Sequence, residues 1–127
     1  MKRLALIVRK ILSAIFLLIV VVSILNYALQ VSFRSSAKRW YPQVSDEDGG
    51  IYTVQYARVA ENWMSFKLYR TGGNEVLAER TYQFIGSPNF VWTHDALIYD
   101  TSADSFYNTG FVQLPPTRLD RWLAWLP

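Results

Sequence analysis

The chain of 127 residues contains no cysteine and a single histidine, His94. Without cysteine it can form no disulfide, no thiolate metal site and no lipid-modified N-terminal cysteine. One histidine also excludes any metal site that needs two imidazole ligands. The sequence has no Gly-rich phosphate loop and no G-x-S-x-G nucleophile motif. It therefore predicts no catalytic residue, no cofactor and no metal site.

What the sequence does have is one long apolar run, Ile11–Val31, in which 14 of 21 residues are Ile, Leu, Val or Phe. As a helix it would reach about 31 Å, close to the roughly 30 Å of hydrocarbon in a bilayer. Its insertion is worth about −4 to −8 kcal/mol. We expect an uncleaved transmembrane signal anchor. A cleaved signal peptide is the alternative, because Ser35 and Ala37 would suit a cleavage site.

Basic residues flank this run on both sides, four before it and three after it, and no acidic residue precedes position 46. The positive-inside rule then favours a cytoplasmic N-terminus in the inner membrane and a periplasmic C-terminal domain.

The predicted segments of the chain are a basic N-terminus (1–10), the anchor (11–31), a stalk and linker (32–50) and an extracytoplasmic domain (51–127).

The net charge is strongly asymmetric along the chain. Residues 1–39 carry seven basic and no acidic side chains, whereas residues 40–127 carry six basic and ten acidic ones. Because the positive half surrounds the apolar helix, its expected partner is the lipid bilayer and its anionic headgroups. We predict no binding of nucleic acid.

Beyond position 50, short runs rich in aromatic and β-branched residues alternate with turn residues. This pattern predicts an α+β domain with a five- or six-stranded antiparallel sheet. In Asn62–Arg70 the alternation places Met64, Phe66 and Leu68 on a buried face, and Ser65 and Lys67 on a wet one. The expected strands are Ile51–Val59, Asn62–Arg70, Val76–Ile85, Asn89–Thr93, Ala96–Asp100 and Phe106–Leu114, the fourth and fifth being either separate or one strand with a bulge at His94-Asp95.

The last segment, 117–126, predicts an amphipathic helix with a capping box formed by Thr117 and Asp120. Its apolar residues recur with helical spacing and are expected to cover the sheet. Alternatively, the adjacent flank of tryptophan and arginine contacts a membrane surface or a partner. The candidate interaction residues on this helix are Arg118, Arg121, Trp122 and Trp125.

Three polar residues of the anchor, Ser23, Asn26 and Gln30, fall on one face of the predicted helix. Intramembrane polar groups commonly join neighbouring helices. We therefore include this strip among the candidate interaction residues.

Seventeen of the residues from 40 onward are aromatic. They would either enlarge the core of a small domain or form a binding platform on the solvent side of the sheet. The candidates for such a platform are Tyr52, Tyr56, Tyr69, Trp92, Tyr99 and Tyr107.

The layout is similar to that of small single-span inner-membrane accessory and immunity proteins. This resemblance implies a membrane-anchored interaction module that acts as an accessory, assembly or inhibitory partner of a membrane or envelope complex, and not an enzyme. The alternative is a tethered binder of an envelope ligand or polymer that uses an aromatic face. A small hydrolase that uses His94 is a third hypothesis.

Overall fold

The computed structural model describes residues 2–47, 49–100 and 110–127. It divides into two units, Met1–Ser32 and Phe33–Pro127, which we describe separately. The predicted turn at 101–105 and the start of the predicted last strand lie outside the described residues.

The first unit is a single helix, α1, whose full extent is Lys2–Ser35, with its last turn belonging to the second unit. The part from Leu6 to Ser35 is long and apolar enough to span a membrane. It contains the whole of the predicted run Ile11–Val31, and its large apolar side chains are exposed. The prediction of one long apolar helix near the N-terminus is therefore confirmed.

The second unit contains two antiparallel sheets. The first has four strands in the order β1-β2-β3-β4, and the second has three in the order β5-β6-β7. The prediction of one sheet with five or six strands is thus confirmed only as an antiparallel β region. The strands are β1 (Tyr41–Val44), β2 (Tyr52–Ala60), β3 (Trp63–Arg70), β4 (Val76–Gln83), β5 (Val91–Trp92), β6 (Ala96–Ile98) and β7 (Phe111–Gln113).

Local turn chemistry explains where the strands separate. Gly72, at φ +80°, supplies the left-handed residue of the turn between β3 and β4. Between β5 and β6, the amide of Thr93 donates to the carbonyl of Ala96 over 2.9 Å, and the amide of Ala96 donates to Thr93 Oγ1 over 3.0 Å. The chain reverses there, so β5 and β6 are two strands and not one bulged strand. An additional strand, β1, lies within the predicted linker.

The core draws side chains from both sheets and is rich in aromatic rings. Phe66 lies at its centre, with ring centroids 5.0 Å from Tyr99, 5.6 Å from Phe90 and 6.2 Å from Tyr82. Tyr52, Trp92 and Tyr99 are buried in this core, so the predicted solvent-facing aromatic platform is wrong for these three. Tyr56 and Tyr69 are half-buried, and Tyr107 lies outside the described residues. The aromatic residues mainly enlarge a small core.

The opposite face of β3 is also covered by other side chains. The prediction that this face is exposed to solvent is therefore wrong. Ser65 has no exposed surface, and its hydroxyl lies 3.2 Å from Thr81 Oγ1. Phe33 stacks on Trp63 with 5.4 Å between ring centroids, and Lys67 Nζ lies 5.0 Å from the ring centroid of Trp40. Residues at both ends of the segment 33–40 therefore pack on the sheet. Both residues fall in the predicted stalk and linker, 32–50.

The chain ends in a short helix, α2 (Arg118–Ala124), which packs against β4. Its N-cap is Thr117, and the predicted capping box with Asp120 is present. The predicted C-terminal helix is therefore confirmed, with bounds slightly inside 117–126.

Candidate functional site

An ion pair joins α2 to the sheet. Asp120 is the buried residue of this helix, and its Oδ1 pairs with the guanidinium of Arg80 on β4. Its Oδ2 accepts hydrogen bonds from Thr117 Oγ1 over 2.7 Å and from the Thr117 amide over 3.1 Å. One carboxylate thus both caps the helix and joins it to β4.

The same contacts decide the charge state of Asp120. Burial by itself raises the pKa of a carboxyl group, because it penalises the charged form. Here the hydrogen bonds from Thr117 and Arg80, together with the Arg80 charge, outweigh burial, so the pKa of Asp120 lies below its usual value. Asp120 is consequently ionised at neutral pH and keeps its pairing with Arg80.

Because Asp120 faces the sheet, the apolar side of α2 faces solvent. Leu119 is 63% exposed, Trp122 61% and Trp125 89%. The predicted packing of this helix on the sheet is present, but these three apolar side chains are largely exposed. An uncovered cluster of large apolar side chains, above all tryptophans, is typical of an interaction surface.

Two arginines lie beside this cluster. Arg118 and Arg121 are exposed, and neither makes an ion pair with any carboxylate in the described part of the chain. The surface is therefore both apolar and cationic. We call it the α2 face, and define it by Arg118, Leu119, Arg121, Trp122 and Trp125.

A cleft of about 370 Å³ adjoins the α2 face, and Arg121 belongs to both. The opposite side of the cleft carries Arg70 at the end of β3, and Glu75 just before β4. Tyr52 and Leu77 contribute its apolar lining. The sequence did not predict that these four residues meet, because strand pairing and the approach of α2 bring them together and no local motif marks them.

The polar strip of α1 keeps its predicted geometry, since an unbroken helix runs through all three positions. Ser23 Oγ donates to the carbonyl of Ile19 over 2.8 Å, so this hydroxyl is satisfied within the helix. Gln30 also has a partner. Asn26 is exposed and has no hydrogen-bond partner within the described residues. In a bilayer, the amide of Asn26 would need a partner from outside this part of the chain.

His94 is exposed in the turn between β5 and β6. The nearby Asp95 accepts a hydrogen bond from Thr93 Oγ1 over 3.2 Å. Within the described part of the chain, no hydrogen bond joins His94 to a serine or a carboxylate. The described residues also include no cluster of three metal-ligating side chains. The hydrolase hypothesis therefore gains no support from this turn.

Comparisons with known proteins identify no relative. No protein-family model, no curated protein and no solved structure matches the chain. The functional proposals below therefore depend on the geometry of the described residues.

Proposed function

We propose that the chain is a membrane-anchored interaction module, with its N-terminus in the cytoplasm and its β domain on the extracytoplasmic side of the inner membrane. It acts as an accessory, assembly or inhibitory partner of a membrane or envelope protein complex. The observation that carries this proposal is the α2 face, where two tryptophans remain exposed although the helix is packed on β4.

The chemistry of the α2 face indicates what it would bind. Trp122 and Trp125 are residues of the type that dominates binding energy in protein interfaces, and arginine is the charged residue most enriched there. Arg118 and Arg121 have no acidic partner among the described residues. The partner is therefore a protein surface that combines an apolar pocket with carboxylates.

Asn26 supports a second contact with the same complex, inside the membrane. An exposed amide in a spanning helix is costly unless a neighbouring helix supplies hydrogen bonds, and such bonds contribute about 0.5–2 kcal/mol. Replacement of Asn26 by leucine should leave insertion intact and weaken the association. Ser23→Ala is the matched control, because the Ser23 hydroxyl is satisfied by its own helix.

The proposal is tested by photocrosslinking in cells, with a photoreactive amino acid at position 125 of the full chain. The control places the same amino acid at position 85, which is equally exposed but outside the α2 face. We expect a discrete crosslinked protein from position 125 alone, and its loss in R118E/R121E. Recovery of the uncrosslinked chain from both positions would contradict the proposal.

The cleft beside α2 favours a second candidate function, the tethered binding of an envelope ligand. Arg70, Glu75 and Arg121 line it without pairing to one another, which leaves charges of both signs available to a polar ligand. In this case purified full chain should bind isolated envelope polymer, and R70A should reduce that binding while crosslinking from position 125 yields no protein.

A further inference from the structure

A second concave surface, distinct from the α2 cleft, lies where the helical end of α1 leads into the β domain. It is a groove of about 390 Å³ in the second unit. Three basic side chains line it, Lys38, Arg39 and Arg58, together with Ser36 and Tyr41. None of its lining residues is acidic. We call it the basic groove.

Two of the three cations are held in place by neighbouring groups. The guanidinium of Arg58 lies 5.6 Å from the ring centroid of Phe84, and its Nε donates to the carbonyl of Glu61 over 3.0 Å. The guanidinium of Arg39 lies 5.2 Å from the ring centroid of Tyr41. Stacked arginines lose less side-chain freedom when they bind an anion, so the groove is partly preorganised.

These contacts leave the positive charge of the groove uncompensated. Neither arginine is ion-paired with a carboxylate of the described residues, and neither is Lys38. Guanidinium groups bind phosphate with bidentate hydrogen bonds, and an ammonium group adds a further donor. The complementary ligand is therefore a phosphate-bearing anion.

The position of the groove along the chain indicates the source of the phosphate. The predicted span ends at Val31, and α1 continues only to Ser35, which is about 6 Å farther along the helix axis. The headgroup region on each side of a bilayer is about 5–8 Å deep. In a chain anchored by the predicted span, Ser36, which lines the groove, would therefore follow the span within the depth of one headgroup layer.

We propose that the basic groove binds the phosphate of an anionic phospholipid headgroup. This inference depends on the membrane anchoring proposed above. It adds a specific lipid contact to the apolar span and to the general attraction of the basic flanking residues for anionic headgroups.

Arg58 offers the sharpest test, because it lies on β2, well away in sequence from the basic residues that set topology. R58Q therefore leaves the residues next to the span unchanged. Full chain in detergent is titrated with phosphatidylglycerol or phosphatidylcholine, and bound lipid is counted by native mass spectrometry. R39Q is the second groove variant. K67Q is the matched control, since it removes one positive charge of the β domain outside the groove.

We expect phosphatidylglycerol to be retained in preference to phosphatidylcholine, and its affinity to fall about fivefold in R58Q and again in R39Q, with little change in K67Q. Thermal unfolding of each variant shows that the fold is kept. Equal retention of both lipids, or unchanged binding in both folded groove variants, would overturn the inference. Displacement by inorganic phosphate at equal concentration would also overturn it, because the site would then take a soluble anion.

A separate measurement distinguishes failure of lipid binding in the groove from failure of the proposed membrane anchoring. Resistance of the chain to carbonate extraction from membranes reports the anchor, and we expect it to be the same in R58Q and the unchanged chain. Loss of lipid selectivity with an intact anchor refutes the groove alone. Failure of the unchanged chain to remain in membranes refutes the anchoring on which both proposals depend.

Discussion

Removal of the Asp120 carboxylate should release α2 from β4 and destabilise the β domain. The carboxylate accepts two hydrogen bonds from Thr117 and pairs with Arg80. The side chains of Arg80 and Asp120 are only 28% and 12% exposed, so their pair lies between a surface ion pair and a buried one. We therefore assign it about 1–2 kcal/mol. The capping interaction adds about 1 kcal/mol.

Asp120→Ala is thus expected to cost about 2–3 kcal/mol. For a unit of this size, that loss lowers the melting temperature by about 8–20 °C. The assay is thermal unfolding of the full chain in detergent, followed by tryptophan fluorescence. Glu75→Gln is the matched control, because Glu75 is exposed and has no ion-pair partner in the described part of the chain.

The acid dependence of the same variant tests the charge assignment. The pKa of Asp120 lies below its usual value of 3.8, so its stabilising contribution is complete above about pH 4 and is lost as the pH falls through the lower folded value. The stability difference between the unchanged chain and Asp120→Asn should therefore shrink on acidification below pH 4.

A double-mutant cycle between Arg80→Gln and Asp120→Asn separates the ion pair from the cap. We expect a coupling free energy of about 1 kcal/mol or more. Additive effects of the two substitutions, or a cost below about 0.5 kcal/mol for Asp120→Ala, would refute the view that this pair fixes α2 on β4.

Two further predictions concern buried polar groups of the β domain. The hydroxyl of Tyr82 is buried and has no hydrogen-bond partner among the described residues, and burial raises its pKa. Tyr82→Phe should therefore leave stability unchanged or raise it by up to about 1 kcal/mol in chemical unfolding, and a loss above 1 kcal/mol would reveal a missing partner. Arg34 lies 3.7 Å from the nearly buried carboxylate of Glu79 and donates from Nε to Thr81 Oγ1 over 3.3 Å. Arg34→Ala should therefore cost about 2 kcal/mol, whereas the exposed Arg70→Ala should cost less than 0.5 kcal/mol in the same thermal assay.

The features that the sequence predicted well are those set by local chemistry. A continuous apolar composition is sufficient to predict α1, and the alternation of Met64, Phe66 and Leu68 is sufficient to predict the buried face of β3. The glycines after Arg70 and the spacing of Thr117 and Asp120 likewise predict a tight turn and a helix cap. In each case the determining residues are within a few positions of one another.

The features that sequence reasoning missed depend on residues that are distant in the chain. Arg80 and Asp120 are forty positions apart, so the helical spacing of the apolar residues could not show that a carboxylate turns α2 toward the sheet. The contact between Ser65 and Thr81 likewise joins residues sixteen positions apart on two strands. The separation into two sheets depends on pairing between strands of two or three residues, which carry little periodicity of their own.

The edge strand β1 limits how a partner can reach this domain. β1 has only four residues and one of them is Pro42, which lacks an amide hydrogen. A short edge strand with a proline is a poor template for another strand. Copies anchored as proposed above would otherwise be prone to pair edge to edge where they meet. Continuation of the sheet from one molecule to the next is thus disfavoured at β1. Under the proposed anchoring, crowding of copies in a membrane should accordingly leave the chain free of β-aggregation at this edge.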